Sequence, residues 1–311
     1  MSQYTPAESF VSNAEFLGKL ISEAPNFGVV SNGKKEVFYN VPGAFDIETS
    51  SFYYLGEKTA IMYEWSFGIN NLVTYGRTWE QFKTLIHAVA AVLHTHQHRR
   101  LVIYVHNLPY EFQFMRKHFS WTKIFFLDNR KPVYAITDNG IEFRCSLKLS
   151  GKSLAATAKD LTKYKTEKMV GDLDYSLIRH PDTPLTEKEL GYCFNDVKVI
   201  LNYIQEKIEQ DGNIARIPLT NTGYVRRYTK DACFPEERVY ENASTYAEYE
   251  IDAIGVSRDE RSLSRWLHAR ECPPSREIMY EGWLIRLYKL LSVRYGGKKV
   301  SDITRKVSWF S

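Results

Sequence analysis

The chain has 311 residues, 44% apolar and 25% charged, with a formal net charge of +4, a balance that excludes intrinsic disorder and gives length enough for a substantial core. Its four cysteines (Cys145, Cys193, Cys233, Cys272) are far apart and form no Cys-x-x-Cys pair, which argues against a zinc ribbon and a disulfide framework and fits a reducing compartment. No stretch has the apolar length of a membrane span and the first residues lack a signal core, so the expectation is a soluble cytoplasmic protein with no membrane partner.

Taken in chain order, residues 1–40 form an N-terminal extension in which Phe10, Phe16, Leu17, Leu20 and Ile21 have helical spacing. Pro42-Gly43 opens a strand over Ala44–Ile47, followed by a loop. Thr59–Phe67 and Asn71–Tyr75 then read as strands around a turn at Gly68-Ile69-Asn70. Trp79–His94 is helical, with Thr78 as N-cap and Gln81 three residues on. Leu101–Val105 is a wholly apolar run, as a buried strand requires. A helix over Tyr110–Phe119 begins after Pro109, and three strands are expected between Lys123 and Cys145. A short helix over Ser153–Thr162 and a long one over Thr186–Gln210 follow, the latter ending at Asp211-Gly212-Asn213. Strand, strand, strand, helix, strand, helix is the order of a ribonuclease-H-like α/β layer, a mixed β-sheet flanked by helices. The expected domains are residues 41–212 for that layer and 213–311 for a mainly helical C-terminal region.

Four carboxylates and a tyrosine stand where phosphodiester chemistry needs them. Asp46 and Glu48 are two apart on a strand and so share a face. Tyr192 and Asp196 are four apart on a helix and also share a face. Glu111 sits just after a buried strand, where α/β proteins place their sites. Such hard oxygen donors suit two Mg2+ or Mn2+ ions, which lower the pKa of an attacking water and neutralise charge on the leaving oxygen. On this reading Asp46 and Glu48 bridge the ions, Asp196 completes one site and Glu111 supports the other through water. The Tyr192 hydroxyl orients the attacking water. Asp-x-Glu and Tyr-x-x-x-Asp are each common alone; their order and separation carry the weight.

These motifs resemble the proofreading domain of family B DNA polymerases, above all the protein-primed bacteriophage type, over about residues 40–210. Asp46-Ile47-Glu48 matches the family's Asp-x-Glu, and Asn107-Leu108-Pro109-Tyr110-Glu111 matches Asn-x-x-aromatic-Asp. Ser146-Leu147 matches Ser/Thr-Leu, Tyr192–Asp196 matches Tyr-x-x-x-Asp, and Ala158–Leu161 and Gly171–Tyr175 resemble the lead-in to the last motif. The resemblance implies a 3′→5′ exonuclease in which Thr49, Asn107, Tyr110, Ser146 and Leu147 contact the 3′ end of single-stranded DNA. It also implies primer-template DNA, a terminal protein or a separate polymerase part as partners, and a bacterial cytoplasm if the gene is a phage's.

Two positions depart from the pattern. Glu111 replaces the family's aspartate and reaches an ion through a water. The protein-primed members carry a lysine where this chain has Val170; Lys168 and Lys165 are the nearest substitutes, though neither aligns. The family's Asp-x-x-Ser-Leu-Tyr-Pro and Asp-Thr-Asp polymerisation motifs do not occur, while Tyr295-Gly296-Gly297 faintly resembles its Tyr-x-Gly-Gly linker. The expectation is a truncated, split or interrupted polymerase with no synthesis of its own. The alternatives are a free-standing exonuclease, including one that trims RNA, and a DNA-binding module whose metal site has decayed.

Overall fold

A computed structural model of the chain describes residues 5–7, 28–31, 33, 35–167, 169, 174 and 177–233, with side chains as far as residue 229. The helix expected over Phe10–Ile21 and the Tyr295-Gly296-Gly297 segment lie outside the described residues. The chain divides into two compact units, Met1–Asn221 and Thr222–Ser311.

The first unit holds β1 (Val29–Ser31), β2 (Val37–Tyr39), β3 (Gly43–Tyr54), β4 (Glu57–Ile69), β5 (Leu72–Gly76), α1 (Trp79–Leu93), β6 (Arg99–Val105) and α2 (Leu108–Met115). It continues with β7 (Trp121–Asp128), β8 (Lys131–Thr137), β9 (Ile141–Cys145), α3 (Ser146–Ser150), α4 (Leu154–Lys159) and α5 (Glu187–Asp211). The helix α6 (Asn221–Cys233) opens the second unit. The nine strands form one mixed sheet in the order β5-β4-β3-β6-β9-β8-β7, with β2 paired to the N-terminal part of β6 and β1 to β2. The β2–β6, β3–β6 and β6–β9 pairings are parallel, and the others are antiparallel.

The parallel centre explains the apolar run of β6. Leu101, Val102, Ile103 and Val105 are wholly buried because both faces of a parallel strand are covered. On one face α1 packs its buried Phe82, Leu85, Ile86 and Val89 against the sheet, and Phe82 stacks on Phe45 at 4.3 Å. The capping box expected at Thr78 and Gln81 is present. On the other face α5 crosses β3, β4 and β5. Gly68 lets it approach: a Cβ there would lie 2.7 Å from Leu201 Cδ1 and 2.9 Å from Val197 Cγ1.

Several elements differ from the sequence reading: β1 and β2 lie in the segment expected as an extension and join the sheet, β4 continues to Ile69 so that its turn is Asn70-Asn71, and α3 was not expected. The loop expected after Ile47 is a continuation of β3, which pairs with β4 out to Tyr54↔Glu57. Leu55 and Gly56 both have positive φ (51° and 84°), the two-residue turn that matches strand twist. Ser51-Phe52-Tyr53-Tyr54 carries no apolar–polar alternation to reveal it. The helix expected to reach Phe119 stops at Met115, where the Trp121 indole N–H donates to the Arg116 carbonyl (2.9 Å) and takes the place of a further helical bond.

Candidate metal centre

Parallel strands direct their carboxyl ends toward one edge, and the functional residues gather there. Asp46 and Glu48 lie on one face of β3, and a β-bulge follows immediately, between Glu48 and Thr49. Facing them from α5 is Asp196, one helical turn after Tyr192. Oxygen atoms of Asp46, Glu48 and Asp196 all lie within 4.8 Å of one another, with Glu48 and Asp196 buried. Segments 150 residues apart in sequence thus bring these three carboxylates together.

Glu111, in the first turn of α2, is 4% exposed, and its Oε2 has no hydrogen-bond partner among the described residues. Burial first, then the Asp46 carboxylate, push its carboxyl well above the ordinary range. A buried carboxyl with an unsatisfied oxygen beside three others is a set of hard donors short of positive charge. Divalent cations of the magnesium type supply it, so these residues fit such ions.

The residues expected to touch a 3′ end surround this centre. The Tyr110 hydroxyl and Thr49 Oγ1 share a hydrogen bond of 2.5 Å, and the Tyr110 ring is 41% exposed. Asn107, two residues past the end of β6, is in the left-handed region (φ 78°) and leads α2 without a side-chain cap, so its exposed amide points elsewhere than into its own helix. Ser146 is buried, with Oγ 3.1 Å from His106 Nδ1, and Leu147 packs part-buried against the core. Tyr192 is buried beside Cys193 and Met169. Lys165 is exposed, and Lys168 lies outside the described residues.

One carboxylate escaped the sequence reading. Glu64 is the direct cross-strand partner of Glu48, just as Ser66 is of Asp46. Cross-strand partners project to the same face, so a fully buried acid lies behind the centre. Burial pushes the Glu64 carboxyl up to about 8, against the pull of the Ser66 hydroxyl (2.6 Å), Arg77 and Cys193. At neutral pH it therefore holds a proton. Its signal was the alternation Met62, Glu64, Ser66 within an otherwise apolar strand. The Cys193 thiol is raised well above its ordinary value by burial, then by Glu64, Glu48 and Asp46, which keeps it neutral and un-nucleophilic.

The chain leading into α5 is fastened to the sheet beside the centre. The backbone N–H of Arg179 donates to Ser50 Oγ (2.8 Å), and its guanidinium donates to Glu189 Oε1 (2.6 Å) and lies 5.8 Å over the Tyr63 ring. Arg77 donates to the carbonyls of Tyr63, His180 and Thr183. On the far side, Asn195 accepts from the Met169 N–H (2.9 Å) and donates to the Glu167 carbonyl (3.0 Å), holding the approach to Tyr192.

No protein-family model matches the sequence, and no curated protein matches it. Solved structures do. Phi29 DNA polymerase in its ternary complex with primer-template DNA and incoming nucleotide aligns with a TM-score of 0.50 and 16% identity, covering 64% of this chain and 35% of the polymerase. Phi29 DNA polymerase complexed with single-stranded DNA aligns with a TM-score of 0.48 and 17% identity, covering 64% of this chain and 36% of that one. The ternary-complex match shows a shared α/β fold over a region that is about a third of the polymerase.

Proposed function

We propose that the chain is a two-metal 3′→5′ exonuclease that removes the terminal nucleotide of single-stranded DNA. The observation that carries this is the convergence of Asp46, Glu48 and Asp196 within 4.8 Å, with Glu111 buried beside Asp46. The likeness of fold to a phage DNA polymerase supports the choice of DNA and the broader reading of a polymerase-derived proofreading unit.

The division of labour follows from position. Asp46, Glu48 and Asp196 would hold the ions, and Glu111 would reach through a water. When bound, divalent ions supply a hydroxide-like nucleophile and neutralise the leaving oxygen. Tyr192 contributes a phenol one helical turn from Asp196 that can hold the attacking water in line. Thr49 and Tyr110 are already joined, and together offer a hydroxyl for the sugar and an exposed ring for the terminal base.

The test uses the full chain, 5′-labelled single-stranded DNA and magnesium. A ladder that shortens from the 3′ end is expected. It should vanish with a chelator and fall at least ~100-fold in Asp46→Ala/Glu48→Ala, since losing the ions removes both nucleophile activation and charge stabilisation. DNA that is bound tightly yet left intact by the wild-type protein contradicts catalysis and favours a decayed binding module.

A further inference from the structure

A groove of about 550 Å³ lies where α2 meets the β7–β8 hairpin. From α2 it is lined by Phe112, Gln113 and Arg116, and from the hairpin by Phe126, Asn129 and Arg130. Phe126 is 43% exposed and meets Phe112 edge-on, with ring centroids 6.4 Å apart. Arg116 and Arg130 are exposed and form no ion pair among the described residues. The single carboxylate in the lining, Asp128, lies 3.5 Å from the Lys131 ammonium. Lys117 on the same turn as Arg116 adds another positive charge.

We infer that this groove carries the body of the single strand whose 3′ end occupies the carboxylate centre; the inference rests on the exonuclease reading above. Three observations connect groove and centre. First, Tyr110, Gln113 and Arg116 are exposed and spaced three apart, so they form one ridge along α2 that starts beside Glu111 and ends in the groove. Six residues of helix cover roughly 9 Å, about three nucleotides of a stacked strand. Second, the lining combines guanidinium groups that fit phosphate oxygens bidentately with an aromatic face that stacks any base. Amides from Gln113 and Asn129 add donors suited to sugar and phosphate.

Third, the hairpin tip is built at a cost. Asp128 and Lys131 pair, so Asn129 and Arg130 form a two-residue turn in which Arg130 has φ 61°. Glycine or asparagine is the easy occupant of that conformation, and an arginine there costs on the order of 1–2 kcal/mol. The strained residue is the one that brings a guanidinium to the groove. A protein docking along the exposed β7 edge is the competing occupant, but two arginines that line one groove with an exposed phenylalanine, and form no ion pair among the described residues, suit a polyanion with bases better.

The experiment compares the wild-type chain with Arg116→Ala/Arg130→Gly and with Phe126→Ala, using fluorescein-labelled dT3 and dT10 in chelator. Both variants should bind dT10 at least ~10-fold more weakly, the size expected for a lost stacking or phosphate contact, and dT3 equally well. The double variant should also lower the slope of log K against log salt by roughly 1.4, two phosphates' worth on a single strand. Its melting temperature should not fall, because glycine relieves the turn. With magnesium, dT3 hydrolysis should be unchanged while the KM for dT10 rises. Equal dT10 affinity in wild type and variants overturns the inference and assigns the edge to a protein partner. Failure of the wild type to bind dT10 also overturns it. A wild-type chain that binds dT10 through these residues yet never shortens it sinks the exonuclease reading alone.

Discussion

Glu64 shows what a single residue costs in this fold. A carboxyl pushed up to about 8 keeps its proton in the folded chain at neutral pH, whereas the unfolded chain releases it near the ordinary carboxylate value. Between those two values the folded state binds the extra proton, so stability is greatest below the unfolded pKa and declines as pH rises toward 8. Above that the loss is complete, at several kcal/mol given ~1.4 kcal/mol per pKa unit. Glu64→Gln keeps the shape and abolishes the titration. Denaturant unfolding in chelator should find variant and wild type equal near pH 4.5 and the variant several kcal/mol more stable at pH 8.5. A constant difference across that range would contradict the assignment. The residue escaped motif reading because its pairing with Glu48 is set by strand register, and the alternation in β4 marks its face without marking that partner. Asp46, Glu48, Tyr192 and Asp196 were legible because strand and helix periods alone decide which faces they share.

Among elements, α5 bears the most weight, since it carries Tyr192 and Asp196 and is anchored at its start. Thr186 and Glu189 form a reciprocal capping box, and Glu189 also receives the Arg179 guanidinium. Thr186→Ala removes one cap and should cost about 1 kcal/mol. Glu189→Ala removes the other half of the box and deprives a guanidinium that is 5% exposed of its carboxylate, leaving it the carbonyls of Asp174 and Leu177, so it should cost roughly 3–5 kcal/mol. Urea titrations giving equal costs would mean that Arg179 finds another partner. This element was legible from Thr186 to Gly212 because caps and apolar periodicity agree. The extended β3–β4 ribbon was not, because Ser51, Tyr53 and Tyr54 face solvent, only Phe52 between them is half-buried, and pairing across the turn holds them in strand form. The β7–β8 hairpin was expected as strands, but a groove depends on how its tip meets α2, and that lies between elements.

At the scale of the whole unit, the sheet order brings β3, β6 and β9 side by side, and with them the ends that hold Asp46, Asn107 and Ser146. Their α5 counterpart crosses the same sheet, so acidic groups from distant segments are forced together at an energetic cost that cations would offset. Magnesium should therefore stabilise the protein, by about 2.7 kcal/mol at a hundredfold excess over its dissociation constant. In thermal melts Asp46→Asn/Glu48→Gln should lose that magnesium response and melt higher than wild type in chelator. The most direct measurement is anomalous diffraction from crystals of the full chain soaked in manganese. Two peaks roughly 3.5–4 Å apart, flanked by Asp46, Glu48 and Asp196 with Glu111 behind a water, are predicted. Ordered carboxylates with no manganese between them at saturating concentration would contradict the account.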